Sequence, residues 1–213
     1  MNVTSFPNKP NQYDKFNKKV LHQNNTYMDT GVEYTEITTL NKPSNNIFKC
    51  DHRGRVAIFI DGANLFYAAM QLGIDIDYSK LLRCLTPNSQ LLRAFFYTGF
   101  DPASEKQQGF LLWMRRNGYR VITKDLILFA DGSRKANLHV EMAVDMITLA
   151  SHYDTAVLVS GDGELAYAAN TVAYKGARLE IVSLRSMTSH SLIDVADCFV
   201  DLEDIKGEIQ QIH

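Results

Sequence analysis

Two short apolar runs, residues 56–60 and 156–159, each lead directly into an acidic motif that contains glycine. The motifs are Ile60-Asp61-Gly62-Ala63-Asn64 and Ser160-Gly161-Asp162-Gly163-Glu164. Unbroken apolar runs of this length are typical of strands buried on both faces, as in a parallel sheet. Because the ligands of an open α/β sheet bind beyond the carboxyl ends of its strands, we expect both motifs to face one crevice.

Two roles are open for Asp61 and Asp162. Each follows a strand through a glycine-containing turn into a helical pattern, which is the position of a helix N-cap. Alternatively, carboxylates that cluster in a crevice repel one another and favour a hard divalent cation. Either motif alone favours the capping role, since short motifs often match by chance. The two motifs together, with the acidic residues between them, favour a metal site.

From Arg55 onward, strand-like and helix-like segments alternate, which predicts an α/β fold with helices on both faces of a parallel sheet. The predicted strands are 56–60, 91–97, 120–123, 155–160, 178–182 and the edge strand 198–201, and the predicted helices are 64–72, 78–85, 105–116, 138–151, 164–174 and 191–196. The segment 125–134 is ambiguous, because its apolar residues 126–129 could pair as a strand before the turn signal Asp131-Gly132.

The two ends of the chain are predicted to lie outside the folded domain. Residues 1–53 are rich in Asn, Lys and Thr, contain Pro7, Pro10 and Pro43, and show no sustained hydrophobic period. Such a composition cannot bury a core and predicts a flexible tail. We therefore expect one domain over residues 54–205 and a short C-terminal tail over 206–213.

Charge and cysteine content exclude several classes of protein. The chain has 22 Lys and Arg against 24 Asp and Glu, so it lacks a global basic field and any contact with nucleic acid must be local. One local set could form a basic rim or simply a solvated face: Arg115, Arg116, Arg120, Lys124, Arg134 and Lys135. Cys50, Cys84 and Cys198 are far apart, which predicts neither disulfides nor a zinc knuckle and favours a reducing compartment.

No apolar run is long enough for a signal peptide or a membrane span, so we expect a cytoplasmic protein without a membrane partner. The sequence is compatible with a homo-oligomer and identifies no protein partner.

The predicted helix 138–151 is apolar nearly all round except for its acids. Glu141 and Asp145 lie four residues apart on one face of this helix, where two like charges repel each other and favour a compensating positive charge nearby. A divalent ion shared with Asp61 and Asp162 would supply it. Alternatively, Glu141 faces solvent and Asp145 accepts hydrogen bonds or pairs with an arginine. His139 near the start of this helix is more often a capping or surface residue than a metal ligand.

These motifs, in this order, resemble the NYN domain of the LabA-like family, which is related to the PIN-domain ribonucleases. The resemblance covers roughly residues 55–203 and includes Ile60 to Leu65, Lys135, the Glu141 to Asp145 helix and Ser160 to Glu164. It implies a three-layer α/β/α sandwich with a mostly parallel, PIN-like sheet. It also implies a Mg²⁺- or Mn²⁺-dependent nuclease centre that acts on RNA. Some cyanobacterial members are associated with circadian control of gene expression, so a regulatory role is open as well.

The resemblance assigns roles to individual residues. Asp61, Asp145 and Asp162 match the acids of the family's metal site, and Glu164 stands where the family usually has Asp. These four would hold the metal and serve catalysis, while Asn64, Lys135 and Ser160 would contact the substrate. The chain departs from the family at His139, where many members have an acid. His139 and Glu141 are further candidate ligands, although Glu141 is turned away by about 200° on the helix.

Loss of the acid at position 139 should weaken the binding of a hard cation. A catalytically weak or inactive NYN-fold module that regulates or binds other molecules is therefore the main alternative to a ribonuclease. An aspartyl-phosphate phosphatase also places an Asp at the end of its first strand. That chemistry normally requires a second acid two residues later, and here Ala63 occupies the position.

Overall fold

The computed structural model describes residues 52–129, 132 and 134–212. Except for His52 and Arg53, the predicted N-terminal tail lies outside the described residues. Six parallel strands form one sheet: β1 Arg55–Asp61, β2 Gln90–Phe100, β3 Tyr119–Asp125, β6 Thr155–Val159, β7 Arg178–Ser183 and β8 Cys198–Asp201. Their order across the sheet is β3-β2-β1-β6-β7-β8. The predicted parallel α/β sheet is confirmed.

Helices cover both faces of this sheet and complete the three layers. Their bounds are α1 Gly62–Leu72, α2 Tyr78–Leu85, α3 Glu105–Arg116, α4 His139–Leu149, α5 Ala166–Tyr174, α6 His190–Ile193 and α7 Leu202–Ile209. Helices α1, α2, α3 and α7 pack on one face, and α4, α5 and α6 pack on the other. Alternate residues of β1 enter the two cores, Ile58 on one side and Phe59 on the other, which explains the unbroken apolar run.

The two acidic motifs follow neighbouring strands at the centre of the sheet. Strands β1 and β6 are paired, with Ile60 opposite Val159. From β1 the chain proceeds to β2 and β3 on one side, whereas β6 leads to β7 and β8 on the other side. The strand order therefore reverses between β1 and β6, which is the point where open α/β sheets bind their ligands.

Four local features differ from the sequence prediction or resolve it. The ambiguous segment forms an antiparallel pair of β4 (Ile127–Leu128) and β5 (Arg134–Lys135). The predicted helix from Glu164 begins as a 3₁₀ turn, Gly163–Leu165, before α5. Helix α7 crosses the expected boundary at residue 205 and buries Ile209, so the domain continues past that boundary. Arg53, at the other expected boundary, is also buried.

None of the helices within the described residues has the length and apolar character needed to cross a membrane.

Candidate active site

Asp61 and Asp162 each use one carboxylate oxygen as a helix cap and turn the other toward a shared site. Asp61 Oδ1 accepts hydrogen bonds from the backbone N–H groups of Ala63 and Asn64, both at 3.1 Å. Asp162 Oδ1 accepts one from Glu164 N–H at 2.9 Å. Their Oδ2 atoms instead face His139. The capping role is confirmed, and because it uses only Oδ1 of each residue it does not exclude a role of Oδ2 in metal binding.

His139, the first residue of α4, lies among three carboxylates. Its Nε2 is 3.4 Å from Asp61 Oδ2 and 3.7 Å from Asp162 Oδ2, and its Nδ1 is 2.8 Å from Glu164 Oε2. The imidazole thus contacts acids that come from the ends of β1 and β6 and from the 3₁₀ turn after β6. It occupies the centre of the cluster although its position in the sequence had only made it a secondary candidate.

The acids hold a proton on His139. Hydrogen bonding to Asp61 raises the pKa of His139 against the opposing effect of burial, and Glu164 and Asp162 raise it further, to about 9. The hydrogen bond from His139 in turn lowers the pKa of Glu164, with a smaller contribution from Asn137. At neutral pH an imidazolium therefore compensates the negative charge of the cluster.

This arrangement predicts a loss of stability at alkaline pH. The pKa of His139 in the folded protein, about 9, exceeds its ordinary value of 6.5, so its ion pairs stabilise the fold fully below pH 6.5. That contribution disappears as the pH rises through 9. In EDTA, the difference in unfolding free energy between wild type and His139→Gln should shrink between pH 6 and pH 10. If the difference in unfolding free energy stays constant with pH, His139 does not carry the stabilising charge assigned to it.

Ser160 and Asn64 tie the two acidic motifs together. The fully buried Ser160 hydroxyl donates to Asp61 Oδ2 at 3.2 Å and accepts from Asp162 N–H at 3.2 Å. Asn64 Oδ1 accepts from Gly161 N–H at 3.1 Å. A Cβ on Gly161 would collide with the backbone carbonyl of Met187, so only glycine fits this turn. Both polar side chains, expected at the substrate, hold the framework of the site.

Asn137 is a site residue that sequence reasoning missed. Its Oδ1 accepts from His139 N–H at 2.8 Å, and its Nδ2 donates to Glu164 Oε2 at 3.3 Å. It therefore fixes the start of α4 and the rim carboxylate together. An Asn just before a helix is a capping signal, which could have identified it.

Glu141 and Asp145 find other partners in the structure. Lys124 Nζ donates to Glu141 Oε1 at 2.8 Å, and this contact lowers the pKa of Glu141. The buried Tyr97 hydroxyl donates to Asp145 Oδ2 at 2.8 Å. Their mutual repulsion is thus relieved by a lysine and a tyrosine. Within residues 52–129, 132 and 134–212, Asp145 belongs to no group of three side chains that could share an ion.

Lys135 lies on β5, where its backbone pairs with Ile127, and its side chain is exposed. No ion pair or hydrogen bond of its ammonium group is found in the described part of the chain. Lys135 is therefore available to solvent, and the described contacts do not tie it to the acidic cluster.

The donors at the centre of the site fit a divalent ion. One ligand atom each from His139, Asp162 and Glu164 lies within 4.8 Å of the other two. Metal–ligand bonds of about 2.0–2.2 Å allow ligand atoms of one ion to be about 3–4 Å apart, so small side-chain shifts suffice. Asp61 Oδ2 adjoins the same imidazole. Oxygen donors suit Mg²⁺ or Mn²⁺, and the imidazole adds a nitrogen donor.

Most of the chain is similar to known proteins, and the similar region includes the site. The pattern of the NYN domain matches residues 55–203. The Low amplitude and bright protein LabA of Synechococcus elongatus is 36% identical over 166 residues, which cover 74% of this chain and 88% of LabA. A Vibrio parahaemolyticus protein of unknown function, known from its crystal structure, is 27% identical with a TM-score of 0.65, covering 76% of this chain and 99% of that protein.

Proposed function

The chain belongs to the NYN domain family, and we propose that it is a divalent-metal-dependent ribonuclease whose centre comprises Asp61, His139, Asp162 and Glu164. The observation that carries the proposal is the convergence of these side chains at the switch point of the parallel sheet. The proposed substrate is RNA in the cytoplasm. Asp145 lies outside the proposed ligand set because, among the described residues, its side-chain hydrogen bond is with Tyr97 and none joins it to His139 or to the other acids.

The proposed reaction is hydrolysis of a phosphodiester bond. The oxygen of water bonds to phosphorus and the water releases a proton to solvent, the bond from phosphorus to the leaving ribose oxygen breaks, and that oxygen takes up a proton from solvent. A bound Mg²⁺ or Mn²⁺ would supply Lewis acidity toward the phosphate and the water. Asp61, Asp162, Glu164 and the neutral imidazole of His139 would hold the ion, so His139 would release its proton when the ion binds.

The remaining residues of the site orient these ligands. Ser160 fixes the free oxygen of Asp61, and Asn64 fixes the turn before Asp162. Glu164 is 66% exposed and lies at the rim of the site, beside solvent. Lys135, exposed on β5, is proposed to meet a neighbouring phosphate.

The nitrogen donor of His139 should shift the metal preference from Mg²⁺ toward Mn²⁺, because imidazole suits transition metals better than hard cations. We expect wild type to bind Mn²⁺ more tightly than Mg²⁺. His139→Asp should tighten Mg²⁺ binding by about tenfold or more. Loss of a residue that only orients a metal ligand already changes metal affinity by about 10–100-fold, and here the ligand itself changes. Isothermal titration with each metal measures both values. An unchanged ratio of the two dissociation constants would exclude His139 from the ligands.

The function is tested by incubating the purified protein with single-stranded RNA in Mn²⁺, in Mg²⁺ and in EDTA. We expect cleavage with Mn²⁺, weaker cleavage with Mg²⁺ and none in EDTA. The Asp61→Asn protein, purified in parallel, reports any contaminating nuclease. Absence of cleavage by wild type at millimolar metal would overturn the proposal.

The same contacts of His139 favour a second candidate function, a non-catalytic regulatory module with the NYN fold. Here the imidazolium would replace the metal permanently, since it already pairs with three carboxylates. Under this alternative, neither wild type nor His139→Asp cleaves RNA, and wild type does not bind divalent ions. Metal binding to wild type distinguishes the two functions.

A further inference from the structure

Three arginines line one cleft at the side of the sheet away from β6. The cleft has a volume of about 500 Å³ and lies beside the start of β3. Arg93 comes from β2, Arg115 from the last turn of α3 and Arg120 from β3. The other lining residues are Gly118, Tyr119, Val121 and Ile122. Among the described residues, no carboxylate lines this cleft.

The guanidinium groups have no counterion within the described residues. All three arginines are exposed, and none makes an ion pair or a side-chain hydrogen bond with residues 52–129, 132 or 134–212. Three other described arginines do have counterions. Arg53 and Arg178 pair with Glu180, and Arg55 pairs with Asp154. Three like charges gathered without a partner favour an anionic ligand.

One further basic side chain, Lys124, lies on the same face of the sheet between this cleft and the acidic site. Phe95 of β2 is opposite Arg120 of β3 and packs in the core beneath α4. Because side chains alternate along a strand, Arg93, Arg120 and Lys124 all stand on that same face. Lys124 lies roughly 13 Å beyond Arg120 at 3.3 Å per residue.

Lys124 contacts a residue of the acidic site. Lys124 Nζ donates to the backbone carbonyl of Asn137 at 3.1 Å, and the Asn137 side chain donates to Glu164. Glu141 neutralises part of the Lys124 charge. The free positive charge is therefore concentrated in the cleft, away from the acids that would bind the metal.

We propose that the cleft of Arg93, Arg115 and Arg120 binds the phosphate backbone of an RNA strand whose scissile phosphate lies at the acidic site. This inference rests on the proposed function. The planar guanidinium fork matches phosphate oxygens in pairs, and the backbone supplies a row of such phosphates. A chain with a formal net charge of −2 needs a local site of this kind to hold a polyanion near its carboxylates.

The test is the salt dependence of binding to fluorescent single-stranded RNA, measured by anisotropy in EDTA so that cleavage does not interfere. Arg93→Gln and Arg120→Gln should each weaken binding. Each should also reduce the slope of log K against log salt concentration by about 0.7, the value for one lost phosphate contact to a single strand. Arg120→Lys should retain most of the slope, since it keeps the charge.

Lys175→Gln is the matched control, because Lys175 is an exposed cation at the end of α5, outside the cleft. It removes the same charge and should leave the slope near the wild-type value. Wild type that cleaves RNA, with cleft variants whose binding and slope equal those of Lys175→Gln, would overturn this inference and leave the proposed function intact. Wild type that neither binds nor cleaves RNA would overturn both.

Discussion

Replacing Asp61 by Asn should reduce metal-dependent RNA cleavage by more than about 100-fold while the protein remains folded. Cleavage should be lost because the proposed metal site requires the charge of Asp61 Oδ2. Mutation of a residue that only orients a metal ligand already lowers metal affinity or activity by up to about 100-fold. The fold should persist because Asn caps helices about as well as Asp, so the bonds from Ala63 and Asn64 to Oδ1 can remain. Single-turnover rates and thermal unfolding measure the two effects.

Asp77→Asn is the matched control for this change. Asp77 caps α2 through a 3.0 Å hydrogen bond from Lys80 N–H, and it lies outside the acidic cluster. The substitution therefore makes the same chemical change at another helix start and should leave cleavage near the wild-type rate. If Asp61→Asn cleaves RNA as fast as Asp77→Asn, then Asp61 has no part in the reaction.

Replacing Glu180 by Gln should destabilise the domain by about 3–5 kcal/mol, because it removes the charge of a fully buried carboxylate that pairs with a buried guanidinium. Arg53 and Glu180 are 2% and 0% exposed and approach to 2.6 Å. Arg178 also donates to Glu180, at 2.9 Å. The pair joins the start of the described chain to β7. Urea unfolding measures the change in free energy.

Glu203→Gln gives the comparison for an exposed pair. Glu203 contacts Lys206 at 3.4 Å on α7, with both side chains largely in solvent. Loss of this exposed ion pair should lower the free energy of unfolding by less than about 1 kcal/mol.

The double variant Arg53→Met/Glu180→Leu should recover much of the stability lost by Glu180→Gln, since apolar replacements often substitute for a buried ion pair. Equal losses of unfolding free energy in Glu180→Gln and Glu203→Gln would contradict the burial of the Arg53–Glu180 pair.

The centre of the fold could be predicted from the sequence because its signals are local and agree with one another. The apolar runs before Asp61 and Asp162 indicate buried parallel strands, and each motif follows its strand directly. That both motifs meet follows from topology, since the strand order reverses between β1 and β6.

The partners of the acids could not be predicted, because they depend on distances between elements far apart in the chain. Glu141 and Asp145 share a helix face as expected, yet that face meets Lys124 and Tyr97. His139 lies 78 residues from Asp61 and still contacts it. Spacing along one helix cannot show which neighbouring strand lies opposite it.

The grouping of surface charges could not be predicted either. Arg93 lies in a strand pattern, and only the register of β2 with β3 brings it to the cleft of Arg115 and Arg120.

The terminal helix α7, by contrast, does have a signal in the sequence. Asp201 caps it, and Leu202, Ile205 and Ile209 recur at helical spacing and are buried.

The most direct test of the central claim is anomalous diffraction from crystals of the wild-type protein grown with Mn²⁺. The proposed site predicts a manganese peak within bonding distance of His139, Asp162 and Glu164, beside Asp61, and the absence of that peak in Asp61→Asn/Asp162→Asn crystals. If crystals at a saturating concentration of Mn²⁺ show no peak among these residues and His139 remains paired with the three carboxylates, the account is contradicted.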